Sequence, residues 1–333
     1  MSSSADCNDD SSSKSNDEVN DMLQNMSTAD EEDILSICAN CGKEGSDVNN
    51  ICNKCKQVKY CNADCKKKHR HKHKKQCERY VAKLHDEELF KQPPPLDDCP
   101  ICMIQLPSLN PSGKKYMACC GKTICSGCAY APVYDNQGNE VDDDLCPFCR
   151  VPQPESDEEV IKRTMKRVEV GDANAIYNHG NSYFHGVCGY PQDYTKALEL
   201  FHQSAELGCV AGYNNIGYAY YNGEGVEIDK EKALYYYKLA AIGGDVCARC
   251  NLGLDEEREG NMDRALKHYM MAVRCGHVES LDFIKEFYSN GNATKEEYTK
   301  ALQLYQAYLG EIKSDKRDEA ALFSDEYKYY YAN

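Results

Sequence analysis

Cysteine and histidine carry the chemistry of this sequence. Fifteen of its 21 cysteines fall between Cys38 and Cys149, and with one histidine they come in pairs. The first cluster reads Cys38-x2-Cys41, Cys52-x2-Cys55, Cys61-x3-Cys65 and His73-x3-Cys77. A C-x2-C pair turns two thiolates onto one metal from a tight knuckle, and H-x3-C sets both side chains on one helix face a turn apart. His69 and His71 compete with His73 for the ligand role, but only His73 gives that spacing. The second cluster reads Cys99-Pro100-Ile101-Cys102, Cys119-Cys120, Cys125-x2-Cys128 and Cys146-Pro147-Phe148-Cys149. Its four pairs are separated by 16, 4 and 17 residues, which suggests two metals bridged by alternating pairs. Each cluster offers eight ligands, enough for two closed tetrahedral sites, so four zinc ions are expected in all. Closed sites are structural, because no position is left for water. A segment of about 40 residues has little core of its own, and the metal must supply folding energy on the order of 10–16 kcal/mol apparent per site.

The first spacing resembles the MYND-type zinc finger at every ligand position over residues 38–77. The resemblance implies interleaved sites: Cys38, Cys41, Cys61 and Cys65 on one zinc, and Cys52, Cys55, His73 and Cys77 on the other. Tyr60, just before Cys61, also fits. Many members carry Trp three residues before the ligand histidine, where this chain has Arg70, a departure that counts against recognition of proline-containing peptides. Lys66 to Lys75 holds seven Lys or Arg. Such a run reads as a solvated helix face beside anionic zinc–thiolate sites, or as a nuclear-import or phosphate-binding face.

The string Cys119-Cys120-Gly121-Lys122-Thr123-Ile124-Cys125 resembles the core of a RING finger. Lys122 stands where most RING fingers place a ligand histidine, and the adjacent cysteines offer the replacement, as in the all-cysteine class. The resemblance then implies one zinc on Cys99, Cys102, Cys125 and Cys128, and another on Cys119, Cys120, Cys146 and Cys149. RING domains bind a ubiquitin-conjugating enzyme in a groove between the two zinc loops. Here the matching contacts are Ile101, Pro147 and Phe148, with Arg150, directly after the eighth ligand, placed to bridge the enzyme and ubiquitin. The chain has no Trp for the central helix of that groove, which leaves Tyr130 and Val133 as its surface. No residue is expected to act as a covalent catalyst. The plain alternative is a zinc adaptor in which these side chains simply pack the finger.

The elements around the clusters follow from composition. Residues 1–33 hold ten acidic side chains and one lysine, and such a segment cannot offset the entropy of ordering, so a disordered acidic tail is expected. Pro93-Pro94-Pro95 marks a stiff linker. Beyond Glu155, apolar residues recur at helical spacing and 20 of the 25 tyrosines appear. The alanines of Thr195-Lys196-Ala197-Leu198, Glu231-Lys232-Ala233-Leu234, Asp263-Arg264-Ala265-Leu266 and Thr299-Lys300-Ala301-Leu302 lie 36, 32 and 36 residues apart. Four residues after each alanine stands Phe201, Tyr237, Tyr269 or Tyr305, and Gly208, Gly244 and Gly276 follow the first three. Small residues admit close helix approach, the aromatic fills the space beside them, and the glycine ends the helix. This pattern predicts stacked helix pairs. The unit from Asn215 through Gly223-Glu224-Gly225 to Ala233 resembles the Sel-1-like repeat, and Tyr177, Tyr183, Tyr213 and Tyr220 are candidates for a partner-binding face. Cys247-x2-Cys250 has no partner pair and reads as buried packing.

The fold class expected is thus two small zinc-stabilised α+β fingers followed by an all-α solenoid of helix-turn-helix repeats. The expected layout is a tail (1–34), a MYND-like finger (38–77), a helix and Pro-rich linker (78–98), a RING-like finger (99–150), a linker helix (151–170), about four repeats (171–313) and a C-terminal cap (314–333). No secretory leader or apolar run of membrane length is visible, and the net charge of −15 argues against broad nucleic-acid binding. With reduced cysteines, an intracellular protein, cytoplasmic or nuclear, is expected. Its expected function is that of a ubiquitin-protein ligase recruiting protein substrates through the repeats and first finger.

Overall fold

The computed structural model describes residues 36–108, 113–131, 133–134, 137, 140–141 and 145–330; the expected acidic tail lies outside them. The chain divides into two compact units, residues 1–88 and residues 89–333.

In the first unit a two-stranded antiparallel ladder, β1 (Asn50–Ile51) and β2 (Lys59–Tyr60), pairs Asn50 with Tyr60. Its small core is Cys38, Val48 and Tyr60. The long helix α1 (Ala63–Leu89) starts here. Residues 63–89 contain neither Pro nor Gly and are rich in Lys, so helix is favoured locally. Over its first four turns α1 has no apolar stripe. The buried positions are His73 and Cys77, with His69 half-buried beside them, so the expected metal ligands take the place of a hydrophobic face.

The second unit opens with the second finger. A hairpin of β3 (Lys114–Met117) and β4 (Lys122–Cys125) turns at Gly121, whose φ of 70° suits glycine. Helix α2 (Ser126–Tyr130) and a second small ladder, β5 (Val133–Tyr134) with β6 (Glu140–Val141), follow. Among the described residues the finger's buried core is Cys99, Cys125, Cys128 and Cys146 with only Leu106, Met117 and Ile124, which is the core poverty its composition implied.

The helical array begins after α3 (Asp157–Glu169), whose cap Ser156 accepts from the Glu159 amide and whose first turn holds Asp157, Glu158 and Glu159. Four antiparallel pairs then stack: α4 (Ala173–His185) with α5 (Tyr194–Glu206), α6 (Val210–Asn222) with α7 (Lys230–Ile242), α8 (Val246–Arg258) with α9 (Met262–Arg274), and α10 (Val278–Ser289) with α11 (Lys295–Ile312). Helix α12 (Asp315–Phe323) ends the described α-helices, and a short 3-10 turn (Asp325–Tyr327) follows. Aspartates open four of these helices, the side chains of Asp172, Asp193, Asp229 and Asp245 accepting backbone amides of the first turn. The alanines of the repeat phrase, Ala197, Ala233, Ala265 and Ala301, are fully buried. The first three aromatics that follow them seat on glycines of the preceding helix. A methyl group on Gly180, Gly217 or Gly253 would come within 2.8, 2.7 or 2.5 Å of the rings of Phe201, Tyr237 and Tyr269. Tyr177, Tyr183, Tyr213 and Tyr220 are partly buried against this core, with Tyr220 stacked on Tyr236 at 5.8 Å between ring centres. No described helix is long and apolar enough to cross a membrane.

Candidate metal centres

The structure brings the sixteen expected ligands into four groups: Cys38, Cys41, Cys61 and Cys65; Cys52, Cys55, His73 and Cys77; Cys99, Cys102, Cys125 and Cys128; Cys119, Cys120, Cys146 and Cys149. In each group the donor atoms lie within 4.8 Å of one another. Sulfur–sulfur distances are 3.7 Å for Cys41–Cys61, 3.5 Å for Cys61–Cys65, 3.7 Å for Cys52–Cys77, 3.8 Å for Cys102–Cys125 and 3.4 Å for Cys119–Cys149. A disulfide would need about 2.05 Å. A tetrahedron with Zn–S bonds of about 2.3 Å has edges of about 3.8 Å, close to what is seen. All these cysteines are free thiols.

Proton sharing inside the groups points the same way. Burial opposes ionisation of Cys38, yet the amides of Cys61, Cys41 and Asn40 hold its thiol down at about 6. In the same group the hydrogen bond to Cys65, then burial, pushes Cys61 up to about 12. The second group repeats the split: Cys52, despite burial, is held at about 6 by the Cys55 and Lys54 amides, and burial drives Cys77 up to about 12. In the third group hydrogen bonds to Cys125 put Cys99 far below and Cys128 far above the usual thiol range. Four thiolates this close repel one another, so some must keep protons unless a divalent cation replaces them. The donor set, spacing and proton demand all fit zinc.

The backbone explains how each knuckle closes. The amides of Gly42, Lys56, Met103 and Arg150 donate to the carbonyls of Cys38, Cys52, Cys99 and Cys146 at 2.9, 3.0, 2.9 and 2.9 Å. All four residues are left-handed, with φ of 75°, 56°, 56° and 63°. Each stands directly after the second cysteine of its pair. This conformation was hidden in the sequence, because only position 42 is glycine. Asn40 Nδ2 also donates to Cys65 Sγ (3.4 Å), a supporting contact that spacing gave no hint of.

Helix α1 places the three histidines differently. His73 Nε2 lies 3.2 Å from Cys55 Sγ. His69 turns away to pair its Nδ1 with the Tyr60 hydroxyl (3.2 Å) and stacks on His73, and His71 is exposed.

In the second finger Ile101 and Phe148 are 39% and 41% exposed, Pro147 is half-buried and Arg150 is exposed. Tyr130 packs against Phe323 and Tyr327 at ring separations of 5.1 and 5.6 Å; the Val133 side chain lies outside the described residues. The finger is also fastened to the helical array through residues that no motif singled out. Arg167 donates to the carbonyls of Cys119 (2.9 Å) and Ala118 (3.4 Å). Arg317 donates to those of Gln105 (2.8 Å) and Ile104 (3.1 Å). The two argininyl contacts cross about 50 and about 210 residues of sequence, beyond the reach of local pattern. The spare cysteines of α8 are not part of any group: burial pushes Cys247 up to about 12 and Cys250 up to about 11, as suits inert packing residues.

Comparison with known proteins places the pieces. Residues 38–77 match the MYND finger, and residues 173–209, 210–245 and 286–307 match the Sel1 repeat. Over 88 residues the chain is 30% identical to protein sel-1 homolog 2 of Homo sapiens, covering 26% of this chain and 13% of that protein. Over 103 residues it is 29% identical to an F-box protein of Arabidopsis thaliana, covering 30% of this chain and 28% of that protein. The chain therefore spans less than a third of the length of these relatives. A Sel1 repeat protein from Oxalobacter formigenes aligns over 52% of this chain and 67% of its own, at 26% identity and a TM-score of 0.40. The chain thus carries a MYND finger and Sel1 repeats, joined by a second cysteine-rich module with two further candidate metal groups.

Proposed function

We propose that this protein is a zinc-dependent interaction scaffold that works as a RING-type ubiquitin-protein ligase. The observation that carries the reading is the pair Ile101 and Phe148. Each is a large apolar side chain left in water at the tip of a C-x2-C knuckle, and the two knuckles belong to different four-sulfur groups whose cysteine pairs alternate along the chain. An exposed apolar pair on a rigid, small finger suits a partner groove better than it suits packing. Zinc, when bound, supplies structural rigidity to the four groups. Ile101, Pro147 and Phe148 would then seat a ubiquitin-conjugating enzyme. Arg150, held in the left-handed conformation by its bond to Cys146, would aim its guanidinium at carbonyls of the conjugate. Catalysis would come from positioning, since a closed conjugate raises the effective molarity of the attacking lysine, and no covalent intermediate on this chain is needed. The helical array and the first finger would recruit protein substrates. Fifteen ligand thiols need a reducing compartment, so the proposed setting is intracellular.

The test is autoubiquitination by zinc-loaded protein against a panel of conjugating enzymes. Ile101→Ala and Arg150→Ala should each lower the rate by about tenfold or more with zinc content unchanged. Activity that survives both substitutions overturns the mechanism. A second reading, a non-enzymatic zinc adaptor, is favoured by one contact: Tyr130, on the helix that would floor the groove, is covered by Phe323 and Tyr327 of the same chain. That reading predicts no binding of any conjugating enzyme in a direct titration.

A further inference from the structure

Among the described residues, the hydrogen bonds between the second finger and the helical array gather at three places. At the start of the array, Arg167 on α3 holds the carbonyls of Ala118 and Cys119, and the Tyr116 hydroxyl donates to Asp172, the cap of α4, at 2.9 Å. Both carbonyls belong to the β3–β4 turn, which carries the ligands Cys119 and Cys120. At the far end, Arg317 on α12 is 0% exposed and holds the carbonyls of Ile104, Gln105 and Ile312. Ile104 and Gln105 directly follow the knuckle closed by Cys102, and a methyl on Gly127, beside the ligands Cys125 and Cys128, would lie 2.7 Å from the Arg317 amide. Between these ends, Ser108 hydrogen-bonds the Cys275 carbonyl and its amide donates to the Tyr308 hydroxyl (3.1 Å). Lys114, half-buried, adds to this, donating to the Ser108 carbonyl (3.0 Å) in the field of Asp245, the cap of α8.

We infer that the second finger is a brace laid across the array, and that each of its two metal groups fastens one end. The group Cys119, Cys120, Cys146 and Cys149 governs α3 and α4. The group Cys99, Cys102, Cys125 and Cys128 governs α11 and α12. The loops that present the anchoring carbonyls have almost no apolar core apart from the ligand cysteines themselves. When a group is loaded, its loop is rigid and the arginine has fixed acceptors. When the group is empty, the carbonyls drift, and Arg317 is left as a buried charge with Ile312 as its remaining acceptor. A buried charge that loses two of its three carbonyl acceptors, keeping only Ile312 and the face of Tyr329, is costly enough to force local opening. Metal occupancy is thereby converted into order at one end of the array, and so into the shape of the surface it offers to partners. This inference does not depend on ligase activity.

The test is hydrogen exchange, resolved by helix, on the full chain. Cys146→Ser with Cys149→Ser should raise exchange in α3 and α4 at least about tenfold while α11 and α12 keep their protection. Cys99→Ser with Cys102→Ser should do the reverse, and Cys52→Ser with Cys55→Ser in the first finger should change neither end. If a variant fails to fold, graded chelation of the unmodified protein gives the same map, and protection must fall first at the ends of the array. In zinc-loaded protein, Arg317→Ala should open α12 without loss of metal. Protection across the array that is indifferent to metal, or that falls uniformly, overturns the brace.

Discussion

His268 is fully buried, and neither of its ring nitrogens has a hydrogen-bond partner. Its ring packs on Phe90 with centres 4.7 Å apart. Burial, reinforced by Arg249, Arg264 and Lys238, holds it down at about 3. The folded state therefore keeps it neutral while the unfolded chain titrates near 6.5. A depressed folded value means stability that is whole above the unfolded value and is lost as the pH falls from about 6.5 toward 3. Between pH 7.5 and pH 5 this one residue should cost about 2 kcal/mol. His268→Leu should remove that share, so denaturation curves of the two proteins should diverge on acidification, with the substituted protein the more stable. At this same scale the gathering of the sixteen candidate ligands into four groups was legible in advance, because metal chemistry demands particular residue types at particular spacings. His268 was not, since a buried histidine leaves no mark in local sequence. Nor were Met103 and Arg150 legible as left-handed residues, for their conformation is imposed by the hydrogen bond back to the first cysteine of the knuckle.

The repeating element is a glycine and an aromatic on facing helices. The phrase ending in Ala-Leu, with its aromatic a turn later, was readable as a periodic signal, and the fully buried alanines explain it. What the period did not announce was the seat beneath the ring. Gly253 lies so close to Tyr269 that a methyl there would approach a ring carbon to 2.5 Å. Tyr269 cannot slide away freely, since its hydroxyl donates to Glu257 (2.7 Å) and its ring packs on Phe283 and Phe287. Gly253→Ala should therefore destabilise the array by about 1–3 kcal/mol through overpacking, despite alanine's better helix propensity. Thermal unfolding of the pair checks it: an unchanged or higher midpoint would mean that the helices separate easily. Gly291, which has nothing near it but a φ of 79°, supplies a contrast in which an alanine acts through backbone conformation alone.

At the scale of the whole molecule, two kinds of folding meet in one chain. Helix pairs draw on buried apolar surface, and the fingers, poor in apolar core, offer four candidate metal groups instead. Metal analysis of protein purified without chelator should give four zinc ions per chain, and two would mean that one finger does not take metal. The order of the modules was legible because each has its own composition. Their fastening was not, because it is made of single residues such as Arg167, Lys114 and Arg317 meeting carbonyls and caps far away in sequence. The Ser108 bonds to Cys275 and Tyr308 are of the same kind.

The distance in sequence between Arg317 and its acceptors has a consequence in time. Arg317 reaches back 212 and 213 residues to Gln105 and Ile104. During synthesis the second finger leaves the ribosome well before α12 exists, an interval of roughly 10–30 s at ordinary elongation rates. Throughout it the carbonyls after Cys102 and the flank of α2 at Gly127 stand open to water. On the brace inference, zinc taken up in that interval finds the finger as a free-standing knot, with the rest of the array built onto it afterward. A shortage of metal at that stage would be recorded in the finished protein as a loose end, however much metal is supplied later to the first finger.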